Sequence, residues 1–286
     1  MSLSSLKKLP DNTIEILAKV PLDKIKKEYG QVLAQLQKTT EIAGFRKGKA
    51  PQPQIEKTIG KEKIYQETIK SLLPKIYPKV IQEHQLHPII NPKIELISAQ
   101  EGKDWQIKFT VCETPEINLG NYKEEIKKIT VKNKIWTPAK GEQPKKQDEA
   151  DKPVKETQKI IKTLLKNVKI TIPQILIEDE VNRKLASLIK KTEKLGLTLN
   201  QYLNSLEKTS EQIRKEYQKE SHDNWCLELI LNKIADQEKI VVDQEEIDKI
   251  IANTKNKKEK ENLARQHYVL ASVLRRQKTL EFLQNL

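Results

Sequence analysis

The residues best suited to do chemistry are Arg46, Lys47 and Lys49, set beside Phe45 in the run Gly44-Phe45-Arg46-Lys47-Gly48-Lys49-Ala50-Pro51. Three cations on so short a stretch can contact phosphates without reading a base sequence, and an arginine can also pair bidentately with a carboxylate. Phe45 adds one large apolar side chain that would fill a pocket on a partner. Gly44 and Gly48 free the backbone, because glycine reaches positive φ without a steric penalty. Pro51 cannot continue a preceding helix but suits the first turn of the next. The run therefore reads as an exposed basic loop between two helices. An arbitrary basic loop would be a solvated connection; seven specified positions in a run of eight, with two glycines and a proline among them, make this one a sharper signal.

Other chemistry is sparse in the sequence. It carries no Gly-rich phosphate cradle, no Cys/His spacing for a metal and no nucleophile motif, so neither catalysis nor a cofactor is expected. His84 and His87 straddle a helix end without the further ligands a metal site needs. Cys112 and Cys226 lie far apart in apolar-patterned stretches and read as buried, inert thiols.

The elements that hold the loop follow from hydrophobic period. Thr13–Val20 alternates with Ile14, Ile16, Ala18 and Val20 on one face, a strand. A helix capped by Asp23 follows, with Ile25, Tyr29, Val32, Leu33 and Leu36 as its buried stripe, and fades at Thr39-Thr40. Beyond the loop, a short helix carries Ile55 and Ile59 to Gly60, and a longer one runs from Lys61 to His84. Pro74 and Pro78 should kink or shorten the longer helix. Strands at Pro88–Ser98 and Asp104–Glu113 close an α+β domain, with the loop at the tip of a helical excursion.

From Lys140 to Pro153 the chain is polar apart from Ala150 and reads as a flexible linker. Beyond it the pattern is helical: Val154–Val168, a stripe from Ile177 to Ile189 ending at Gly196, and a capping box of Thr198 with Gln201. Helices over Glu211–Gln237, from Asp243, and over Leu263–Leu283 complete it. The 286 residues suit two domains. A hydrophobic fraction of 36% against 33% charged residues describes a lean core and a heavily solvated surface. The net charge of +13 admits polyanionic partners without requiring them. Met1–Lys8 lacks a secretory apolar core and no run reaches the ~18 apolar residues of a membrane span. The expected setting is cytoplasmic, away from membranes.

The motif Gly44-Phe45-Arg46-Lys47-Gly48-Lys49-x-Pro51 resembles the ribosome-docking signature of trigger factor, a family of bacterial chaperones that meet nascent chains at the tunnel exit. The order strand, helix, loop, helices, hairpin and the exit Pro115-Glu116-Ile117 are similar to the family's ribosome-binding domain. Ala43 stands where many members have proline. Ile172-Pro173, Gln201-Tyr202-Leu203 and Ile240-Val241-Val242-Asp243 resemble its C-terminal chaperone domain. The resemblance implies an elongated two-domain fold: an α+β ribosome-binding domain at 1–118, a linker at 119–153, and an all-α chaperone domain at 154–286. Only about thirty residues separate Tyr122 from Val154, where the family inserts an FKBP-type isomerase domain, and a domain rarely folds below ~40 residues. By resemblance the site residues are Gly44, Phe45, Arg46, Lys47, Gly48, Lys49 and Pro51. The implied partners are a tunnel-exit ribosomal protein with adjacent ribosomal RNA, unfolded nascent polypeptides, and a second copy in a weak homodimer. The implied function is ATP-independent chaperoning. The rival readings are retained prolyl isomerase activity and a basic ribosomal-RNA-binding or assembly factor.

Overall fold

A computed structural model of the chain describes residues 4–134, 147–253, 260, 263 and 266–286. The chain divides into two compact units, Met1–Thr114 with Pro173–Ile175, and Pro115–Ile172 with Leu176–Leu286.

The first unit is built on an antiparallel sheet of β1 (Ser4–Lys8), β2 (Thr13–Val20), β3 (Lys93–Ser98) and β4 (Trp105–Cys112), in the order β1-β2-β4-β3. The register sets Ile16 opposite Phe109, Ala18 opposite Ile107 and Val20 opposite Trp105, so the alternating apolar residues of both central strands share one face. Helices α1 (Leu22–Thr39), α2 (Gln52–Ile59) and α3 (Lys61–Glu83) intervene between β2 and β3. Leu72 and Val80 of α3 close the core over the sheet, while Tyr77 packs on Phe109 and Tyr65 meets Trp105 edge-on. Trp105 and Phe109 are fully buried, each contributing about 1.5–3 kcal/mol or more by area removed from water.

Four features differ from the sequence reading. β1 was not expected, because its sequence, Ser-Ser-Leu-Lys-Lys, offers little apolar alternation; it is an edge strand guarded by lysines. β3 begins at Lys93 rather than Pro88, since Pro88 and Pro92 have no N–H for a ladder. Asp23 lies in the first turn of α1 and does not cap it; Pro21 occupies the cap position, and the Leu22 N–H donates instead to the Asp104 carboxylate at 2.9 Å. Finally, α3 runs unshortened through Pro74 and Pro78. Both prolines are exposed and four residues apart, on the side of the helix away from the buried Ile64, Leu72 and Val80. Packing there outweighs a cost of roughly 3 kcal/mol per proline.

The second unit is helical: α4 (Tyr122–Lys134), α5 (Gln147–Asn167), α6 (Gln174–Lys194), α7 (Leu199–Ser205), α8 (Ser210–Gln237), α9 (Gln244–Asn253) and α10 (His267–Gln284). One core joins Tyr122 and Ile126 of α4, Ile160 and Leu164 of α5, Ile230 and Ile234 of α8 and Leu283 of α10. A second gathers Leu188, Leu203 and Ile213. Helix α8 serves both cores; Ile213 and Ile230 are about 25 Å apart at 1.5 Å per residue. The capping box of Thr198 with Gln201 is present, and Thr209 with Gln212 forms a second one that opens α8. Gly196 follows α6 at φ +73°, and the Leu197 N–H returns to the Thr192 carbonyl.

The linker expected over 119–153 is helical across much of that span. Ile126 is fully buried, which anchors α4 despite its many lysines and glutamates, and α5 starts at Gln147, ahead of the expected Val154. Residues 135–146 lie outside the described residues. The last helix was expected from Leu263; it begins at His267, and Val269 and Val273, which the apolar pattern sets on its stripe, are exposed, as is Tyr268.

Candidate functional site

The loop between α1 and α2 is a pair of linked turns. The Phe45 N–H donates to the Ile42 carbonyl at 3.1 Å, and the Lys49 N–H to the Arg46 carbonyl at 2.9 Å. In each turn the third residue is a glycine at positive φ, +85° at Gly44 and +83° at Gly48, while Ala43 and Lys47 keep negative φ. That is the type II signature, which requires glycine or asparagine at the third position. The four-residue spacing of the glycines therefore builds two successive type II turns and leaves Phe45 and Arg46 at their junction. Ala43, in the place of a proline, occupies the second turn position, which accepts either residue.

Both ends of the loop are pinned. Ile42 on one side and Ala50 on the other pack with Val32, Leu33, Ile55 and Ile64, a small core separate from the sheet. The Gln37 side-chain amide donates to the Ala50 carbonyl at 2.7 Å, and the Tyr29 hydroxyl donates to Glu56 of α2 at 2.9 Å. Pro51 forms the N-cap of α2 in extended conformation. The loop tip is thus free while its base is fixed, which limits the entropy lost when a partner binds.

At the tip, Arg46, Lys47 and Lys49 are exposed, and Phe45 is 42% exposed. Lys47 pairs with Glu41 at 3.6 Å, a surface contact worth about 0–1 kcal/mol. Arg46 and Lys49 form no ion pair among the described residues. The structure brings together every residue the sequence singled out. It adds three that sequence reading missed: Ala50 and Ile42 as anchors, and Glu41 as a local counter-charge. Ala50 is the informative omission, because its small side chain gave no periodic signal, yet it is 4% exposed and ties the loop to α1 and α3.

Residues 1–142 match the family model described as bacterial trigger factor protein, and residues 140–284 match the one described as its C-terminus. The chain belongs to the bacterial trigger factor family. Trigger factor of Streptococcus pneumoniae strain Hungary19A-6 is 35% identical over 113 residues, 40% of this chain and 26% of that protein. Trigger factor of Staphylococcus epidermidis, from the strain also designated RP62A, is 36% identical over 104 residues, 36% of this chain and 24% of that protein. These alignments span about a quarter of the relatives' length. A solved structure from work on promiscuous substrate recognition in the folding and assembly activities of the trigger factor chaperone matches with a TM-score of 0.62. It covers 98% of this chain and 99% of that one at 14% identity, a likeness of fold. The two trigger factor family matches adjoin at residues 140–142.

No helix among the described residues is long and apolar enough to cross a membrane. Both cysteines are buried, and desolvation pushes Cys112 up to about 12 and Cys226 up to about 11. Neither thiol is poised to act as a nucleophile.

Proposed function

We propose that this protein docks on the ribosome through the Phe45-Arg46-Lys47 tip and shields emerging polypeptides with its helical unit, without ATP and without an isomerase domain. The observation that carries the reading is the pinned, double type II turn, which holds one apolar and three cationic side chains in water. Phe45 supplies the apolar anchor, Arg46 the bidentate contact to carboxylate or phosphate, and Lys47 and Lys49 further charge. The partner that fits is a tunnel-exit ribosomal protein with ribosomal RNA beside it.

Client shielding is supported by apolar side chains that the helical unit leaves in water. Leu195 is 70% and Tyr268 88% exposed, and Val241, Val269 and Val273 are also exposed. Such surface grips unfolded segments weakly and at many points. The adjoining family matches support a chain with no isomerase domain between them.

The test places a photo-reactive residue at Lys49 or at Tyr268 and irradiates the protein with translating ribosomes. Lys49 should crosslink to a ribosomal protein at the tunnel exit, and Tyr268 to the nascent chain. Crosslinks from Lys49 to RNA alone, with none from Tyr268 to nascent chain, would favour an RNA-binding factor. Proline-limited refolding of a test substrate should not be accelerated.

A further inference from the structure

Strand β3 forms one edge of the sheet, and no described strand pairs with its outer side. Its hydrogen-bonding direction follows from its neighbours. The Thr13 carbonyl accepts from the Leu9 N–H on the β1 side, and the Cys112 carbonyl, opposite Thr13 on β4, accepts from the Ile89 N–H on the other side. Peptide groups alternate in direction along a strand, so Thr110 and Lys108 also face β3, and their partners Lys93 and Glu95 face inward. Ile94 and Leu96 therefore turn their N–H and C=O groups off the sheet. Their side chains lie on the same face as Phe109 and Ile107 but are 41% and 43% exposed. Pro92 has no N–H and a bulge follows Leu96, so the open edge is confined to this short stretch.

We propose that β3 pairs antiparallel with β3 of a second copy of this chain, about a two-fold axis at Ile94. Charge selects the register. With Ile94 opposite Ile94, Lys93 stands against the second copy's Glu95, and the symmetry repeats the pair. An axis at Lys93 or at Glu95 would set like charges opposite each other, and one at Leu96 would leave both charges without a partner and take in the bulge. In the selected register the two Ile94 residues exchange N–H···O=C bonds, and each Leu96 N–H donates to the Pro92 carbonyl of the other copy. The exposed Ile94 and Leu96 side chains of both copies then gather on one face. Glu95 already lies 2.6 Å from Lys108 and 3.4 Å from Lys93 of its own chain, so the incoming ammonium group joins an existing network. The charges also decide the occupant: an arbitrary unfolded strand carries none at matching positions, whereas a two-fold copy always does. One short strand pair buries less than the ~1,200–2,000 Å² of a stable interface, so the dimer is weak.

Sedimentation velocity of the full chain at rising concentration should show a monomer–dimer equilibrium. Lys93→Glu and Glu95→Lys, each checked for an unchanged thermal melt, should each dimerise roughly tenfold more weakly, because each sets like charges opposite one another. Mixed together, the two variants should recover wild-type association as a heterodimer, since Glu at 93 then faces Lys at 95. Ile94→Cys should form a disulfide-linked dimer under oxidised glutathione, because the facing residues stand about 5.5 Å apart, within disulfide reach. Leu96→Cys should not, since its two copies are displaced by roughly 13 Å along the strands, and neither should the wild type, whose thiols are buried. The Phe45→Ala/Arg46→Ala/Lys47→Ala variant should dimerise like the wild type, so failure here is distinct from failure of the docking reading. A monomer at every concentration, equal crosslinking of the two cysteine variants, or a mixture no tighter than its components would each overturn the proposal. So would capture of a single-cysteine unfolded polypeptide by Ile94→Cys in preference to its own copy.

Discussion

Replacing Gly44 or Gly48 by alanine should weaken ribosome binding while leaving the fold in place. An L-residue in the left-handed region costs about 1–2 kcal/mol relative to its relaxed conformation. Sterics add little. A Cβ on Gly44 meets nothing within 4 Å, and one on Gly48 meets only the Lys38 Cα at 4.0 Å. The penalty is therefore torsional, and the loop escapes it by leaving the type II conformation. If docking requires that conformation, apparent affinity falls by the fraction still populated, about 5–30-fold for each alanine. The double variant should lose the product of the two, if the turns relax independently. Gly30 is the control: it lies inside α1 at negative φ with open space where a methyl group would go, so Gly30→Ala should stabilise the protein by about 0.4–1 kcal/mol and leave docking unchanged. Fluorescence anisotropy of labelled protein titrated with vacant ribosomes reads affinity, and urea unfolding reads stability. Wild-type affinity in both alanine variants would refute the claim that the paired turns pre-organise the dock.

Four other outcomes are expected. Ile126→Ala should cost about 2–5 kcal/mol in urea unfolding, because this side chain is fully buried between α4 and its neighbours; a loss under 1 kcal/mol would return the segment to the status of a linker. Thr209→Ala removes the oxygen that accepts the Gln212 N–H and should lower stability by about 1 kcal/mol, read as a shift in denaturation midpoint. Hydrogen bonds from Lys75 and Ser71 hold Glu28 below the usual carboxylate range, so its contribution is present above the unfolded value near pH 4.3 and is lost as pH falls through the lower folded one. Glu28→Gln should flatten that acid limb and cost about 1–2 kcal/mol at neutral pH, the range for charged hydrogen bonds reduced because Lys75 is half in water. Both thiols, raised by burial, should react slowly with a disulfide reagent in the native protein and fast in urea; rapid native labelling would contradict their placement.

The central strands were legible because both alternate without exception: Ile14, Ile16, Ala18, Val20 and Trp105, Ile107, Phe109, Val111 are all buried. The loop was legible for a different reason, since two glycines four apart and a proline are backbone instructions that need no tertiary partner. What escaped were features decided by packing or by a distant group. β1 is a strand only because β2 offers it an edge, and the first N–H of α1 is satisfied by Asp104, which is remote in sequence. The segment that forms α4 was counted with the linker because its apolar residues are few, yet Tyr122 and Ile126 pack into the helical core. The exposure of Tyr268, Val269 and Val273 was likewise invisible, because periodicity marks an apolar face without saying whether anything covers it.

Ribosome co-sedimentation of the wild type beside Phe45→Ala/Arg46→Ala/Lys47→Ala, at low and moderate salt, tests the docking account most directly. The wild type should pellet with ribosomes and lose affinity as salt rises, and the folded triple variant should stay in the supernatant with a flatter salt dependence. Equal pelleting of the two proteins would show that generic positive charge, and not this loop, makes the contact.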